Sequence, residues 1–172
     1  NRSRARLVDV LEVQSRPAPS DDQIEFTLNL GILSPEIYTL QWERPAPPFY
    51  EEPFAQLRSA SLSFAQLRYR IGDLMDGKDT WWSCTTIVSE ELIRIVGEVV
   101  LPYFATINSE YDMYDRLGAH PSYCDEVLMY KLAKALLARS VGEAEVYTEL
   151  MNELKHVGGR KWGGNIVRMR RL

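Results

Sequence analysis

Apolar and polar residues alternate most cleanly from Ile24 to Leu33. Ile24, Phe26, Leu28, Leu30 and Ile32 fall on one side, with Glu25, Thr27, Asn29 and Gly31 between them. A period of two sends successive side chains to opposite faces of a strand, so this run is the clearest predicted strand. Leu7 to Ser15 repeats the pattern, with Leu11 and Val13 on one face and Glu12 and Gln14 on the other. Between the two runs lie Pro17, Pro19, Ser20, Asp21 and Asp22, which is loop chemistry. The runs predict an antiparallel pair with one wet face. A third alternation sets Leu67, Tyr69 and Ile71 against Arg68 and Arg70, and ends at Gly72. Asp76-Gly77 accepts positive φ and Thr80-Trp81-Trp82 is strand-like. Residues 67–84 are therefore expected to form a β-hairpin with a loop longer than two residues. Adjacent tryptophans on a strand point to opposite faces, so one of Trp81 and Trp82 is expected outside the core.

The period changes after Ser89. Leu92, Ile95, Val96, Val99 and Val100 follow the helical rule, with Ser89 as N-cap and Glu90 and Glu91 at the positive end of the dipole. Pro102 removes the hydrogen bond to the carbonyl of Glu98, so the helix is expected to kink or end there. Asn108 to Leu117 predicts a short, tyrosine-rich helix, and Gly118 and Pro121 break it. Asp125 to Arg139 and Glu143 to His156 predict two helices joined at Val141-Gly142, hence antiparallel neighbours. Ser34 to Pro53 holds five of the nine prolines. It predicts an irregular connection with at most a short edge strand at Tyr38 to Trp42. A proline-rich ligand for an SH3-type partner is the functional alternative, and the aromatic residues inside the stretch weigh against it.

These elements predict an α+β fold. An antiparallel sheet of residues 7–15, 24–33, 66–71 and 79–84 is covered on one face by helices from 89 onward, with a C-terminal helical hairpin. A chain of 172 residues has length for one domain with a real core. Residues 1–157 are expected to form it, and 158–172 to be a basic tail. A net charge of −4 gives no global signal for nucleic acid. No run approaches the roughly 18 apolar residues of a membrane span. The start, NRSRAR, is not a secretory signal. The strand pattern begins by Leu7 without an initiator methionine, so residues upstream are expected to be missing. Cys84 and Cys124 form no disulfide framework, which fits a reduced, cytoplasmic setting.

Five pieces carry a family resemblance: LEVQS at Leu11 to Ser15, FTLNLGI at Phe26 to Ile32, RIGDL at Arg70 to Leu74, DTWWS at Asp79 to Ser83 and VVLPYF at Val99 to Phe104. In this order and spacing the chain resembles the domain-of-unknown-function family 4304, small bacterial proteins without an assigned activity. The resemblance runs from about residue 7 to residue 138. It implies an α+β fold with an antiparallel sheet. It also implies a helix and a strand with a Gly-Phe pair ahead of the VQS strand, which are absent here. It supplies no catalytic residue.

The chemistry-bearing residues are sparse. Asp73, Asp76 and Asp79 are spaced by three around the loop, whereas a calcium loop needs alternate oxygen ligands and a closing glutamate. Turn and capping roles fit them better. His120, Cys124, Cys84 and His156 are the only soft ligands, and they lack any paired zinc knuckle. No metal and no cofactor is expected. There is no nucleophile elbow, and the glycines from Gly158 to Gly164 follow a helix rather than a strand. Glu143, Glu145, Glu149 and Glu153 read as a solvated helix face. The tail interleaves Arg160, Lys161, Arg168, Arg170 and Arg171 with Trp162. It could grip single-stranded nucleic acid, but a solvated terminus is the favoured reading.

Strand parity gathers a more specific set. Gln14, Asn29, Arg68 and Arg70 share the polar face of the sheet, Asp79 lies in the adjoining loop, and one of Trp81 and Trp82 joins them. Amide and guanidinium donors beside an indole can clamp a carboxylate, a phosphate or a peptide end. The structural alternative pairs the arginines with Glu12 and Glu25 across the strands. The expected function is a non-enzymatic protein–protein interaction module, of bacterial defence, signalling or toxin-neutralising type. The rival is a hydrolase or small-ligand enzyme with its site on the same face.

Overall fold

A computed structural model describes residues 7–19, 23–42, 62, 65–85, 87, 89–119 and 127–157. The sheet is built around one strand. β2 (Ile24–Leu33) pairs antiparallel along its whole length with β1 (Val8–Pro17). Its other edge is shared by two short strands. β3 (Leu67–Arg70) covers Asn29 to Ile32, and β4 (Trp82–Ser83) covers Glu25 and Phe26. Both run antiparallel to β2, so the sheet is antiparallel, as its alternating pattern implied.

The expected hairpin between the third and fourth strands does not form. β3 and β4 lie in line on one edge and each pairs with β2. Between them the chain turns through a short helix, α2 (Ile71–Met75). Asp73 accepts from the Arg70 amide at 3.0 Å, which caps that turn. Gly77 then takes φ 74°, and the amides of Asp76 and Gly77 both donate to the carbonyl of Gly72. The Asp-Gly pair is thus the left-handed exit of a helical turn rather than the tip of a hairpin. The returning chain passes tightly against Gly72: a Cβ there would lie 1.7 Å from the carbonyl oxygen of Lys78.

The connection after β2 also differs from expectation. Tyr38 to Trp42 is no edge strand but part of α1 (Pro35–Trp42). Ser34-Pro35-Glu36 is a helix start, with proline at the first helical position and an acid in the first turn. The Ser34 hydroxyl accepts from the Ile37 amide at 3.2 Å and donates to Glu110 at 2.8 Å. Ser34 is fully buried, so Ser34→Ala is expected to destabilise the fold by about 1–2 kcal/mol in urea unfolding. The prolines at 45, 47, 48 and 53 lie outside the described residues.

The apolar face of the sheet carries Leu28, Leu30, Ile32, Leu67 and Tyr69 into one core. Helices from Ser89 onward cover it. α3 (Ser89–Ile95) runs through a π-helical turn (Val96–Val100) into α4 (Leu101–Ala105). Pro102 neither ends nor breaks this helix. One widened turn, in which the Leu101 amide reaches back to the carbonyl of Val96, absorbs the missing donor. α5 (Glu110–Ala119) follows, started by Ser109, whose hydroxyl accepts from the Asp112 amide. α6 (Val127–Val141) and α7 (Ala144–Val157) form the expected C-terminal hairpin, turned by Gly142 at φ 92°. Lys131 and Glu153 tie the pair together at 2.6 Å. Tyr69 and Tyr103 meet at 5.4 Å in this core, and burial raises both phenols above their usual range. The cover is incomplete over β1, where Val13 is 64% exposed and Leu11 44%.

Among the described residues no single helix is long and apolar enough to cross a membrane. A bent pair, Ser89–Ala105 with Glu110–Leu117, reaches that length and apolarity only when taken together. It sends Ile95, Val100, Phe104, Met113 and Leu117 into the protein's own core. The tail from 158 to 172, together with His120 and Cys124, lies outside the described residues.

Candidate functional site

The register decides which polar side chains share a face. Directly opposed residues of an antiparallel pair point the same way. Arg16 faces Glu25, Gln14 faces Thr27, Glu12 faces Asn29, and Asn29 faces Arg70 on the far side. All belong to the face opposite the core. Across the strands, the Asn29 amide donates to Gln14 Oε1 at 3.0 Å. Arg16 makes a forked contact with Glu25, through Nε and a terminal nitrogen, both at 3.0 Å. Such cross-strand pairs hold register at modest energy where they are exposed.

Arg70 does not pair with Glu12 or Glu25. The excursion through α2 brings Asp79 back over it, and the Arg70 guanidinium meets Asp79 Oδ1 at 2.5 Å. The indole N–H of Trp81 donates to the other carboxylate oxygen at 2.9 Å. The guanidinium of Arg16 stacks over the Trp81 ring at 3.8 Å, and that of Arg70 approaches the same ring at 5.4 Å. Arginine over indole gains both dispersion and quadrupole attraction. The result is one cluster drawn from both edges of the sheet: Glu25, Arg16, Trp81, Asp79 and Arg70. The hydrogen bonds from Trp81 and Arg70 hold the Asp79 carboxyl below the usual carboxylate range.

The burial is uneven. The Arg70 side chain is 15% exposed, whereas Asp79 is 54% exposed. Thr27 shares this face between Glu25 and Asn29 and is fully buried. Its hydroxyl has no hydrogen-bond partner among the described residues. A buried hydroxyl without a partner costs free energy wherever it occurs.

Of the residues singled out by parity, the structure brings Arg70, Asp79 and Trp81 together, and joins Gln14 to Asn29. Two stand apart from the cluster, although Arg68 keeps the polar face opposite Gly31. Arg68 turns along its own strand, its Nε donating to the carbonyl of Ala65 at 2.9 Å. Trp82 faces the core side and packs on Phe26 with ring centroids 5.8 Å apart. Arg16, Glu25 and Thr27 are additions. Arg16 stands beside Pro17 and so reads as loop, yet β1 runs through it. Its charge opposite Glu25 was the available signal. Asp73 and Asp76 serve as cap and turn acceptors, for the amides of Arg70 and Lys78. Among the described residues no group of three or more His, Cys, Asp or Glu side chains is placed to hold a metal ion.

Residues 1–105 match the family described as Domain of unknown function (DUF4304), which is more than half of the 172 residues. The chain belongs to the DUF4304 family. The DUF4304 match takes in the whole sheet and the whole Arg16–Trp81–Asp79–Arg70 cluster. It stops at the end of α4, short of the residue 138 expected from the sequence, and leaves α5 and the helical hairpin beyond it. No curated protein and no solved structure matches the chain.

Proposed function

We propose that this chain is a non-enzymatic binding module that takes a protein partner on the polar face of its sheet. The observation that carries this reading is the indole of Trp81 fixed between Arg16 and the Arg70–Asp79 pair. Tryptophan and arginine are the residue types that dominate binding energy at protein interfaces. Here their rotamers are already held by hydrogen bonds and stacking, so less conformational entropy is lost when a partner docks. The middle of this face is covered, with Thr27 and Asn29 buried, so the surface offered to a partner is the Arg16–Trp81–Asp79–Arg70 cluster.

The test begins with capture of partners by the tagged chain from its native host, identified by mass spectrometry. The purified partner is then titrated against variants. Trp81→Ala is expected to weaken binding by about thirtyfold, a loss of roughly 2 kcal/mol. Arg94→Ala, on α3 and paired only with its helix neighbour Glu98 among the described ion pairs, is expected to bind as wild type. Equal binding by Trp81→Ala and wild type would remove this face from the interface.

A further inference from the structure

The cluster contains an anion and the donors that hold it, and the two are built differently. The donors are fixed. Arg70 lies at the end of β3, largely buried, and opposes Asn29 of the central strand. Trp81 directly precedes β4 and is stacked under Arg16 from β1. The anion is the outer partner. Asp79 comes from the exposed return of the excursion, just past the Asp76-Gly77 turn, and more than half of its side chain is open to solvent.

From this arrangement we infer that Arg70 and Trp81 form a carboxylate-binding cradle which the chain's own Asp79 occupies in the closed state, and that an acidic peptide segment of a partner exchanges for Asp79 there. This rests on the binding-face reading above and names the chemistry that the face selects. The class of ligand follows from the present occupant. One oxygen takes a guanidinium N–H and the other an indole N–H, a two-point arrangement that suits a planar carboxylate. Hydrogen bonding and charge here favour the ionised form of that carboxyl. Arg16 adds a second guanidinium over the indole, and is itself paired with Glu25.

An internal occupant lowers apparent affinity by the fraction of time for which the cradle is open. Removing it should therefore reveal the site. The probe is a fluorescently labelled peptide of six glutamates with an amidated C-terminus, and its six-glutamine counterpart is the control. By fluorescence anisotropy, Asp79→Ala is expected to bind the glutamate peptide about tenfold more tightly than wild type. It should prefer that peptide over the glutamine one. Asp79→Asn, which keeps an acceptor for Trp81, should show the same gain if Asp79→Ala loosens the loop. Adding Arg70→Ala to either variant should abolish the gain, with the fold monitored by circular dichroism. The inference fails if neither Asp79 variant gains affinity, if both peptides bind alike, or if the Arg70 double variant retains the gain. Loss of the native partner on Trp81→Ala without any gain on Asp79 substitution would leave the binding face standing and refute the carboxylate exchange alone.

Discussion

Gly72→Ala is expected to destabilise the protein by roughly 1–3 kcal/mol or more, an overpacking cost paid in backbone rather than in side chains. The added Cβ would stand 1.7 Å from the Lys78 carbonyl oxygen, 2.9 Å from its carbon and 3.0 Å from the Thr80 amide nitrogen. None of these atoms can rotate aside. Either the return segment 78–80 moves away, or α2 lifts from the sheet edge. Either movement strains the turn that the amides of Asp76 and Gly77 close by donating hydrogen bonds to the Gly72 carbonyl. Displacement of the return segment also moves Asp79, which lies within it, relative to Arg70. Urea unfolding gives the energy, and tryptophan fluorescence reports the changed surroundings of Trp81. Gly97→Ala supplies the contrast. Gly97 is exposed within the helical run and a Cβ there meets nothing within 4 Å, so this change is expected to be neutral or stabilising by up to about 1 kcal/mol. Equal stability of the two variants would contradict the close approach.

The second large effect is expected at Leu30. It sits at the middle of β2, opposite Leu11 on one side and Tyr69 on the other, and is fully buried. Leu30→Ala is expected to cost about 2–5 kcal/mol through lost burial and the cavity left behind. For a chain of this size each kcal/mol lowers the melting temperature by roughly 2–4 °C. Val13→Ala, on the same face but 64% exposed, is expected to cost less than about 1 kcal/mol. A comparable loss at both positions would mean that the helices cover β1 as fully as they cover β2.

Much of this fold was legible because the sheet keeps a strict period of two. Parity alone placed Leu28, Leu30 and Ile32 in the core and Asn29 and Arg70 on the opposite face. The helical pair at the C-terminus was legible from its stripes and from Gly142. Apart from Pro102, whose missing donor a π-helical turn absorbs, the misread elements share one cause: a short signal was given the wrong partner. The prolines after Ser34 outweighed a helix start spelled by Ser34-Pro35-Glu36 itself. Asp76-Gly77 is a genuine left-handed signal, yet helices and hairpins both end on one. The site was half legible for the same reason. Parity assigns faces, but the pairing of Arg70 with Asp79 depends on the path of the excursion, which no periodicity encodes. The role of Arg16 depended on a strand that continues through it to Pro17.

All the strand pairing in the described sheet passes through β2. β1 can peel away alone, and so can the segment from β3 to β4, because neither leans on the other for its ladder. Loss of β2 dissolves everything at once. Amide exchange should follow that hierarchy, slowest along β2 and faster on the strands at either edge. The Arg16–Trp81–Asp79–Arg70 cluster bridges the two independently opening edges. It therefore senses the weaker of them, and a partner that grips the cluster clamps both edges shut, transmitting rigidity across the sheet without changing its shape.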